Sequence, residues 1–346
     1  LQEILIGLNL LTFATTRPKI HWREHWISAV LIGLTIFSTL TNNILSNIDL
    51  IRHAKFLFFA AIFSFIAIEI FRTKKERLHA LEIAGYGALA FGLFSVAYNL
   101  LGYNITHDFR LLGPLDAAVY LAYYLTPFFI FFTLRKNWLP AIILGLLILA
   151  TRSMGAIGGS FIVISAYYLS QHKINPRGKI ALSAIGLLIA VGIFYVKILP
   201  TFQTNYSSLD ERGEIWQTAG ALLEAPHNAI FGLGPSQFEA NFTATADQVL
   251  GRPPLDYKVI QPHNIFLLFW FHYGLLGLTF LLFLIYKNFR TKEKTIIHWL
   301  LLYILIHGLI DTPFYKNDLL ILILLLLNFS IPPPDRAKPL PDHQTS

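Results

Sequence analysis

The chain has 346 residues, of which 55% are hydrophobic and 14% charged, whereas an ordinary globular domain carries about 25% charged residues. These proportions exclude a typical soluble domain and predict an all-α polytopic integral membrane protein. Cysteine is absent, which excludes disulfides and thiolate metal sites. We interpret the net charge of +7 as a topology signal rather than as nucleic-acid binding, because cytoplasmic loops of membrane proteins retain Lys and Arg.

Apolar runs predict about eleven transmembrane helices, since about 20 apolar residues cross a bilayer and buried spans need fewer. The first run is not a signal peptide, because neither a cationic region nor a small-residue cleavage site flanks it. The chain starts without methionine, so we allow for a twelfth helix before it. The predicted spans are 2–16, 26–42, 53–71, 79–101, 117–134, 138–151, 154–170, 180–198, 263–286, 296–312 and 318–331.

The apolar segment 138–170 is interpreted as two short spans that meet at a hinge in TRSMG. This division keeps the later loops on consistent sides of the membrane. Gly155, Gly158 and Gly159 follow the hinge, and small residues let helices in membranes approach closely. We therefore expect the second short span to pack tightly against a neighbour.

Basic residues predict which loops face the cytoplasm. Alternate connections are assigned to alternate sides of the membrane. The side that includes the tail holds 18 of the 27 lysines and arginines, and the positive-inside rule therefore predicts that this side is cytoplasmic. The long loop 199–262 is then extracytoplasmic and leads directly into His263. We expect residues 1–331 to form one transmembrane domain that includes this loop, and the proline-rich tail 332–346 to be cytoplasmic and disordered.

Ionisable residues at or within the membrane are costly and usually functional. In this chain most of them are predicted to lie at one level, the extracytoplasmic edge. They are Arg52, Lys55, Arg110, Asp116, Arg152, Arg212, His263, His307 and Asp311. This clustering predicts a site at that edge.

Two arginines of this group precede or separate spans. Arg110 has a simple interpretation as an interfacial residue that reaches lipid headgroups. Arg152 lies deeper, at the hinge, where a guanidinium needs an anionic partner and holds phosphate through paired donors. A salt bridge to a carboxylate such as Asp116 is an equally good interpretation of Arg152.

The long loop contains an amphipathic helix that begins near Arg212 and either lies on the membrane or caps a cavity. Neighbouring carboxylates at Asp210, Glu211 and Glu214 offer an alternative, in which they neutralise the arginine. The later GLGPSQF is interpreted as a turn without a clear helix after it. The apolar face of the amphipathic helix comprises Ile215, Trp216, Ala219, Leu222 and Leu223.

Pro262 and His263 are predicted to open a transmembrane helix. The positive end of a helix disfavours the imidazolium, and a neutral imidazole is a general base near neutral pH. The commoner interpretation of such a residue is a capping or interfacial histidine. His307 and Asp311 are four residues apart and are expected on one helix face. Two ligands make a weak metal site, so we expect them to make a structural hydrogen bond that orients His263 or an arginine.

Five short motifs in this order resemble the O-antigen ligase and polymerase superfamily over residues 100 to 320. They are R..G at Arg110 and Gly113; TRS.GA at Arg152; RGEIW followed by P...I.GLG...F, from Arg212 and Trp216 to Phe238; HN.FL......G..GL from His263 and Asn264; and HGL.D at His307 and Asp311. The resemblance is greatest to lipopolysaccharide core O-antigen ligases, with a fold like that of GT-C glycosyltransferases.

The resemblance implies an inner-membrane glycosyltransferase whose active site faces the periplasm. A glycan on undecaprenyl diphosphate is the implied donor, a lipid A-core sugar hydroxyl is the implied acceptor, and no cofactor or metal is implied. Arg212 and Arg152 would hold the diphosphate, and His263 would activate the hydroxyl. Residues expected to support substrate binding are Arg110, Trp216, Asn264, His307 and Asp311.

The chemistry of these residues agrees with that function. A lipid diphosphate leaves readily once guanidiniums neutralise its charge, so one displacement with a histidine base suffices and inverts the anomeric centre. Alternatives are an O-antigen or exopolysaccharide polymerase, a protein O-oligosaccharyltransferase and a lipid-linked glycan transporter. A transporter is disfavoured because it usually has inverted repeats and a midplane site, and a purely structural membrane protein ranks last.

Overall fold

The structure, a computed structural model, describes residues 25–45, 48–104, 109–115, 117–171, 178, 208–291, 294–312 and 317–330. Within these ranges there are twelve helices and no strand, which confirms the predicted all-α fold. The helices are α1 (Trp26–Thr41), α2 (Ile48–Ile70), α3 (Lys74–Leu100), α4 (Ala118–Leu134), α5 (Trp138–Thr151), α6 (Met154–Gln171), α7 (Ser208–Leu223), α8 (Pro226–Phe231), α9 (Phe238–Leu250), α10 (Ile265–Phe289), α11 (Ile296–Gly308) and α12 (Asn317–Phe329). The predicted spans 2–16 and 180–198 and the tail 332–346 lie outside the described residues.

Three helices, α2 over His53–Ile70, α3 and α10, are long and apolar enough to cross a membrane. Helices α1, α4, α5, α11 and α12 are apolar but shorter. Large apolar side chains on the outside of the bundle are exposed, with Leu100 at 83% and Leu139 at 72%, as expected of side chains that face lipid rather than water. The chain is a multi-pass membrane protein.

Helix α4 lies at the centre of the bundle, where it contacts α3, α5, α6 and α11. Most of its 17 residues are buried. Close approach of α3 depends on Gly85, because a Cβ there would lie 2.7 Å from the Phe132 ring of α4. Helix α3 itself begins with a capping box, in which the Thr73 hydroxyl accepts from the Glu76 N–H and the Glu76 carboxylate accepts from the Thr73 N–H. Each contact satisfies a backbone donor that the helix leaves open.

The predicted hinge between two short helices is confirmed. Helix α5 ends at Thr151, Arg152 adopts the left-handed conformation with φ 53°, and α6 begins at Met154. The predicted close packing of α6 is confirmed at two of its three glycines. A Cβ at Gly155 would lie 2.5 Å from His307 Nε2 and one at Gly159 would lie 3.2 Å from the Tyr303 ring, whereas Gly158 has nothing within 4 Å. The expectation for Gly158 was therefore wrong, because a Cβ at this position would meet no neighbour.

The segment from α7 to α9 forms a small second core against the first half of α10. The predicted amphipathic face is confirmed, since Ile215, Ala219 and Leu223 of α7 are buried. This face packs on α9 and α10, so it is covered by protein. The prediction of no clear helix after GLGPSQF was wrong, because α9 starts at Phe238. Phe238 and Phe242 of α9 are fully buried in the second core, and tertiary packing stabilises this short helix.

Helix α10 is broken at Gly274, whose φ of 63° and ψ of −156° are not helical. The break leaves two carbonyls without helical partners. The Leu233 N–H donates to Phe271 O at 2.7 Å, and the Ser38 hydroxyl donates to His272 O at 2.6 Å. A Cβ at Gly274 would lie 2.0 Å from Ile230 O. Backbone groups within a membrane must be satisfied by protein, so the GLG turn and α1 are fixed against this break.

Candidate functional site

His263 and Asp311 form a hydrogen-bonded pair at the start of α10, with 2.9 Å between Nδ1 and Oδ1. The His263 side chain is 34% exposed and that of Asp311 only 6%. His263 has a positive φ of 47°, a conformation that costs energy for a residue with a Cβ. This unfavourable backbone conformation holds an accessible imidazole against a buried carboxylate.

Asn264, not His263, caps α10. Its Oδ1 accepts from the N–H groups of Phe266 and Leu267 at 2.9 and 3.1 Å, and its Nδ2 donates to Leu309 O at 2.9 Å. The predicted start of the span at His263 was therefore two residues early, because asparagine is among the preferred N-cap residues and histidine is not. Asn264 joins the start of α10 to the end of α11.

The loop of residues 309–312, which follows α11, carries Asp311 and is held from several sides. The Asp311 N–H donates to His307 O at 3.2 Å, and Asp311 Oδ1 accepts from the Thr312 N–H at 2.8 Å. The Thr312 hydroxyl donates to Gln261 Oε1 at 2.5 Å. These contacts fix the carboxylate before any substrate arrives.

Arg212 reaches the same loop from α7, where its Nε donates to Ile310 O at 2.7 Å. The residue bonded to Arg212 thus immediately precedes Asp311. Of the carboxylates expected as alternatives, Asp210 and Glu211 are exposed, and Glu214 instead pairs with Arg252 and accepts from the Leu255 N–H at 2.8 Å. The structure therefore places a guanidinium at the loop that carries Asp311.

His307 does not share a helix face with Asp311, so this expectation was wrong. Helix α11 ends at Gly308, where the backbone lies close to the Ile265 side chain. His307 is 1% exposed. Its ring stacks on Tyr123 at 3.7 Å, and its Nδ1 is 2.7 Å from the Tyr303 hydroxyl. The His307 carbonyl accepts from the N–H groups of Ile310 and Asp311, so this buried residue also holds the start of the loop of residues 309–312.

Trp216 contacts the segment that precedes His263. Its indole N–H donates to Pro262 O at 2.9 Å, and its ring packs partly buried in the second core. Helix α7 therefore holds both sides of the pair, the His263 side through Trp216 and the Asp311 side through Arg212.

Arg110 and Arg152 form a separate group at the α5–α6 hinge. Arg110 Nη2 donates to Arg152 O at 3.1 Å, and the Leu111 N–H donates to Ala150 O at 3.0 Å. The Arg152 side chain is exposed. Three residues later, Gly155 contacts His307, which connects the hinge to the support of the site. Asp116 and the Arg52 side chain lie outside the described residues, and Lys55 lies over the Phe59 ring.

Burial alone would raise the pKa of Asp311, but the hydrogen bond and charge of His263 outweigh burial and hold that pKa below its ordinary value. The carboxylate is therefore ionised at neutral pH. An ionised carboxylate only accepts hydrogen bonds, so Nδ1 of His263 donates the proton of this bond and Nε2 is the ring nitrogen left for another partner. The geometry suits Nε2 to accept a proton.

Sequence reasoning missed Tyr123, Tyr303 and Gln261, because each is an ordinary residue of a helix or loop until folding brings it to the site. The only available signal was Gly155, which marks a close approach without naming its partner. Among the described residues, no group of three or more His, Asp or Glu could hold a metal ion.

A family model described as O-antigen ligase matches residues 139–282. The matched segment contains Arg152, Arg212 and His263, and it excludes Arg110 and Asp311. This finding confirms the resemblance to the O-antigen ligase superfamily. No curated protein matches the chain.

Proposed function

We propose that this multi-pass membrane protein, whose residues 139–282 match the O-antigen ligase family model, transfers a glycan from undecaprenyl diphosphate to a sugar hydroxyl of lipid A-core. The observation that carries the proposal is the His263–Asp311 pair, with Arg212 bonded to the residue beside Asp311. A base and a diphosphate-binding cation at one place are what this transfer needs.

In the proposed reaction, the acceptor oxygen attacks the anomeric carbon of the donor glycan. Its proton passes to Nε2 of His263, and the bond from the anomeric carbon to the diphosphate oxygen breaks with its electron pair on the diphosphate. Asp311 holds the imidazole in the required tautomer and stabilises the imidazolium that forms, as the carboxylate of a catalytic triad does. One displacement inverts the anomeric centre, and no cofactor takes part.

The charge that develops on the leaving diphosphate is assigned to arginines. Guanidinium groups hold phosphate through paired donors, and cations aimed at developing charge supply much of the rate enhancement in such transfers. Arg212 is assigned to the diphosphate directly, and Arg152 to its outer phosphate. Arg110 supports Arg152 through the backbone carbonyl at the hinge.

The proposed site faces the periplasm of an inner membrane. The proposal follows from the positive-inside rule, which puts the loop that contains α7, α8 and α9 on the side opposite the lysine-rich connections. A carrier lipid in the outer leaflet would then present its diphosphate at the level of His263.

The test is transfer in vitro by purified protein, with an undecaprenyl-diphosphate glycan, truncated lipopolysaccharide and a parallel reaction with chelator. The variant His263→Ala is compared with His227→Ala, an exposed histidine of α8 in the same loop. We expect His263→Ala to lower the rate by about 10²- to 10⁴-fold, since general-base catalysis contributes this much, and His227→Ala to remain near wild type.

Other outcomes decide between the alternatives. Glycan chains that lengthen on the lipid carrier, with no transfer to lipopolysaccharide, would show a polymerase. Transfer to a Ser or Thr side chain would show a protein glycosyltransferase. Binding of the donor with no transfer of any kind would indicate a transporter, and equal activity of His263→Ala and wild type would remove the histidine from the mechanism.

A further inference from the structure

A second polar region lies at the opposite end of the bundle from His263. Helix α10 has 25 residues, which places its two ends about 35 Å apart. Beyond its second end, the first turns of α3 and α11 and the end of α12 enclose a cavity of ≈ 480 Å³. This volume is in the range of small-ligand sites, about 300 to 1,000 Å³.

Cations line this cavity at three points. Lys74 is the first residue of α3, Arg77 follows one turn later, and Lys294 precedes α11. No carboxylate is among the described residues that line it. Glu76, which also lies in the first turn of α3, is bonded to the Thr73 N–H. The lining therefore favours an anion.

Arg77 makes this part of the cavity rigid. The residue is 1% exposed, its Nε donates to Phe71 O at 3.0 Å, and its guanidinium lies 5.4 Å from the centre of the Phe329 ring. Lys294 Nζ donates to Phe289 O at 2.7 Å, which uses one of the three donors of an ammonium. Arg77 is thus a buried cation of the cavity wall, whereas Lys294 is exposed and is tied to the backbone through Phe289 O.

The rest of the lining combines apolar and aromatic side chains with the polar groups of Gln171, His298 and Ser330. The apolar and aromatic side chains include Leu78, Ile297, Phe329 and Tyr167, and hydroxyl groups of Thr291 and Thr295 line the polar part. A free phosphate ion would use only the cationic part of such a cavity. An amphiphile with a phosphate headgroup and an acyl chain would use both parts.

We propose that this cavity is a binding site for the phosphate headgroup of an anionic phospholipid, at the bundle end opposite the His263 site. Basic pockets between transmembrane helices on the cytoplasmic side are suited to anionic headgroups, and the starts of α3 and α11 add the positive ends of two helix dipoles. The site is independent of the proposed transfer reaction.

The test is a titration of the full-length protein in detergent with phosphatidylglycerol, and with phosphatidylcholine of the same chain length, in which native mass spectrometry counts the 1:1 complex. The double variant Lys74→Gln/Lys294→Gln removes two lining charges. Its matched control, Lys75→Gln/Lys287→Gln, removes two exposed lysines at the same bundle end that do not line the cavity.

We expect wild type to prefer phosphatidylglycerol. The lining double variant should bind it about 25-fold more weakly, since each basic residue contributes about fivefold near an anionic lipid, and the control pair should stay within about twofold of wild type. The variant Lys74→Arg/Lys294→Arg should retain binding, which separates lost charge from lost folding. An equal loss in both glutamine pairs, or no preference between the lipids, would overturn the proposal. Full displacement of the lipid by inorganic phosphate would assign the cavity to free phosphate instead.

Discussion

Arg212 and the pair Arg110 and Arg152, all at the His263 end, differ in how the structure holds their side chains. Arg212 is partly buried and bonded to Ile310 O, the carbonyl next to Asp311. Arg152 extends an exposed side chain from a left-handed hinge, and Arg110 donates to the backbone carbonyl of Arg152 at that hinge. A buried, anchored cation loses less entropy on binding an anion and is less screened by salt than an exposed one. The comparison therefore ranks Arg212 above Arg152 and Arg110.

The largest effect is expected for Asp311→Asn, a substitution in the loop to which Arg212 is bonded. The amide keeps the shape of the carboxylate but donates through its nitrogen, which favours the wrong tautomer of His263 and removes the charge that stabilises the imidazolium. We expect a loss of about 10²- to 10⁴-fold in kcat with little change in KM, because the same replacement in a catalytic triad costs about 10⁴-fold. A loss confined to KM would instead assign Asp311 to substrate binding.

The next largest effect is expected for Arg212→Gln. Removal of one preorganised donor to developing charge costs about 10²- to 10³-fold in kcat. Lys258→Gln is the matched control, because Lys258 is exposed in the same loop and its substitution also removes one positive charge. Steady-state transfer kinetics at several salt concentrations provide the measurement. If the two variants behave alike, Arg212 acts only through the overall charge of the loop.

Smaller effects are expected at the hinge. An exposed charge contributes up to about 1 kcal/mol, so Arg152→Gln should lower kcat/KM by up to about fivefold, with the deficit larger at low salt. Arg110→Gln removes one hydrogen bond to Arg152 O and should cost less than Arg152→Gln. The order of the two variants is checked in the same transfer assay. An effect of Arg152→Gln equal to that of Arg212→Gln would contradict the ranking.

A difference in stability, with no direct effect on the transfer chemistry, is expected between two glycines of α6. Gly155→Ala would place a Cβ 2.5 Å from His307 Nε2, and Tyr123 and Tyr303 hold that ring in place. Overpacking of this kind costs about 1–3 kcal/mol. Gly158→Ala meets nothing within 4 Å and should be neutral or stabilising by up to about 1 kcal/mol, because alanine favours helix. Thermal unfolding in detergent measures both, and equal shifts would contradict the packing seen at Gly155.

Local signals in the sequence predicted the helices well. Apolar runs located each of the nine predicted spans that fall in the described residues, and TRSMG predicted the hinge at Arg152. Errors arose where a short helix depends on contacts from elsewhere. Helix α9 went unpredicted because Phe238 and Phe242 are buried only against α7 and α10. The end of α11 was misplaced because Gly308 and the loop after it pack against α10.

The candidate site was predicted only in part. The types of residue and the edge at which they lie could be read from the sequence, and His263, Arg212 and Asp311 were named. The pairing of His263 with Asp311 across two helices, and the attachment of Arg212 to Ile310, could not be assigned, because the residues in each pair are 48 and 98 positions apart.

The sequence by itself determined that this protein is helical and crosses a membrane, because a bilayer requires long apolar helices and local composition records that requirement directly. Only the tertiary structure decided which polar groups meet. It capped α10 with Asn264, put His263 in a left-handed conformation and clamped His307 between two tyrosines. Such contacts depend on the relative positions of distant helices, and these positions are set by how the side chains of the whole bundle pack.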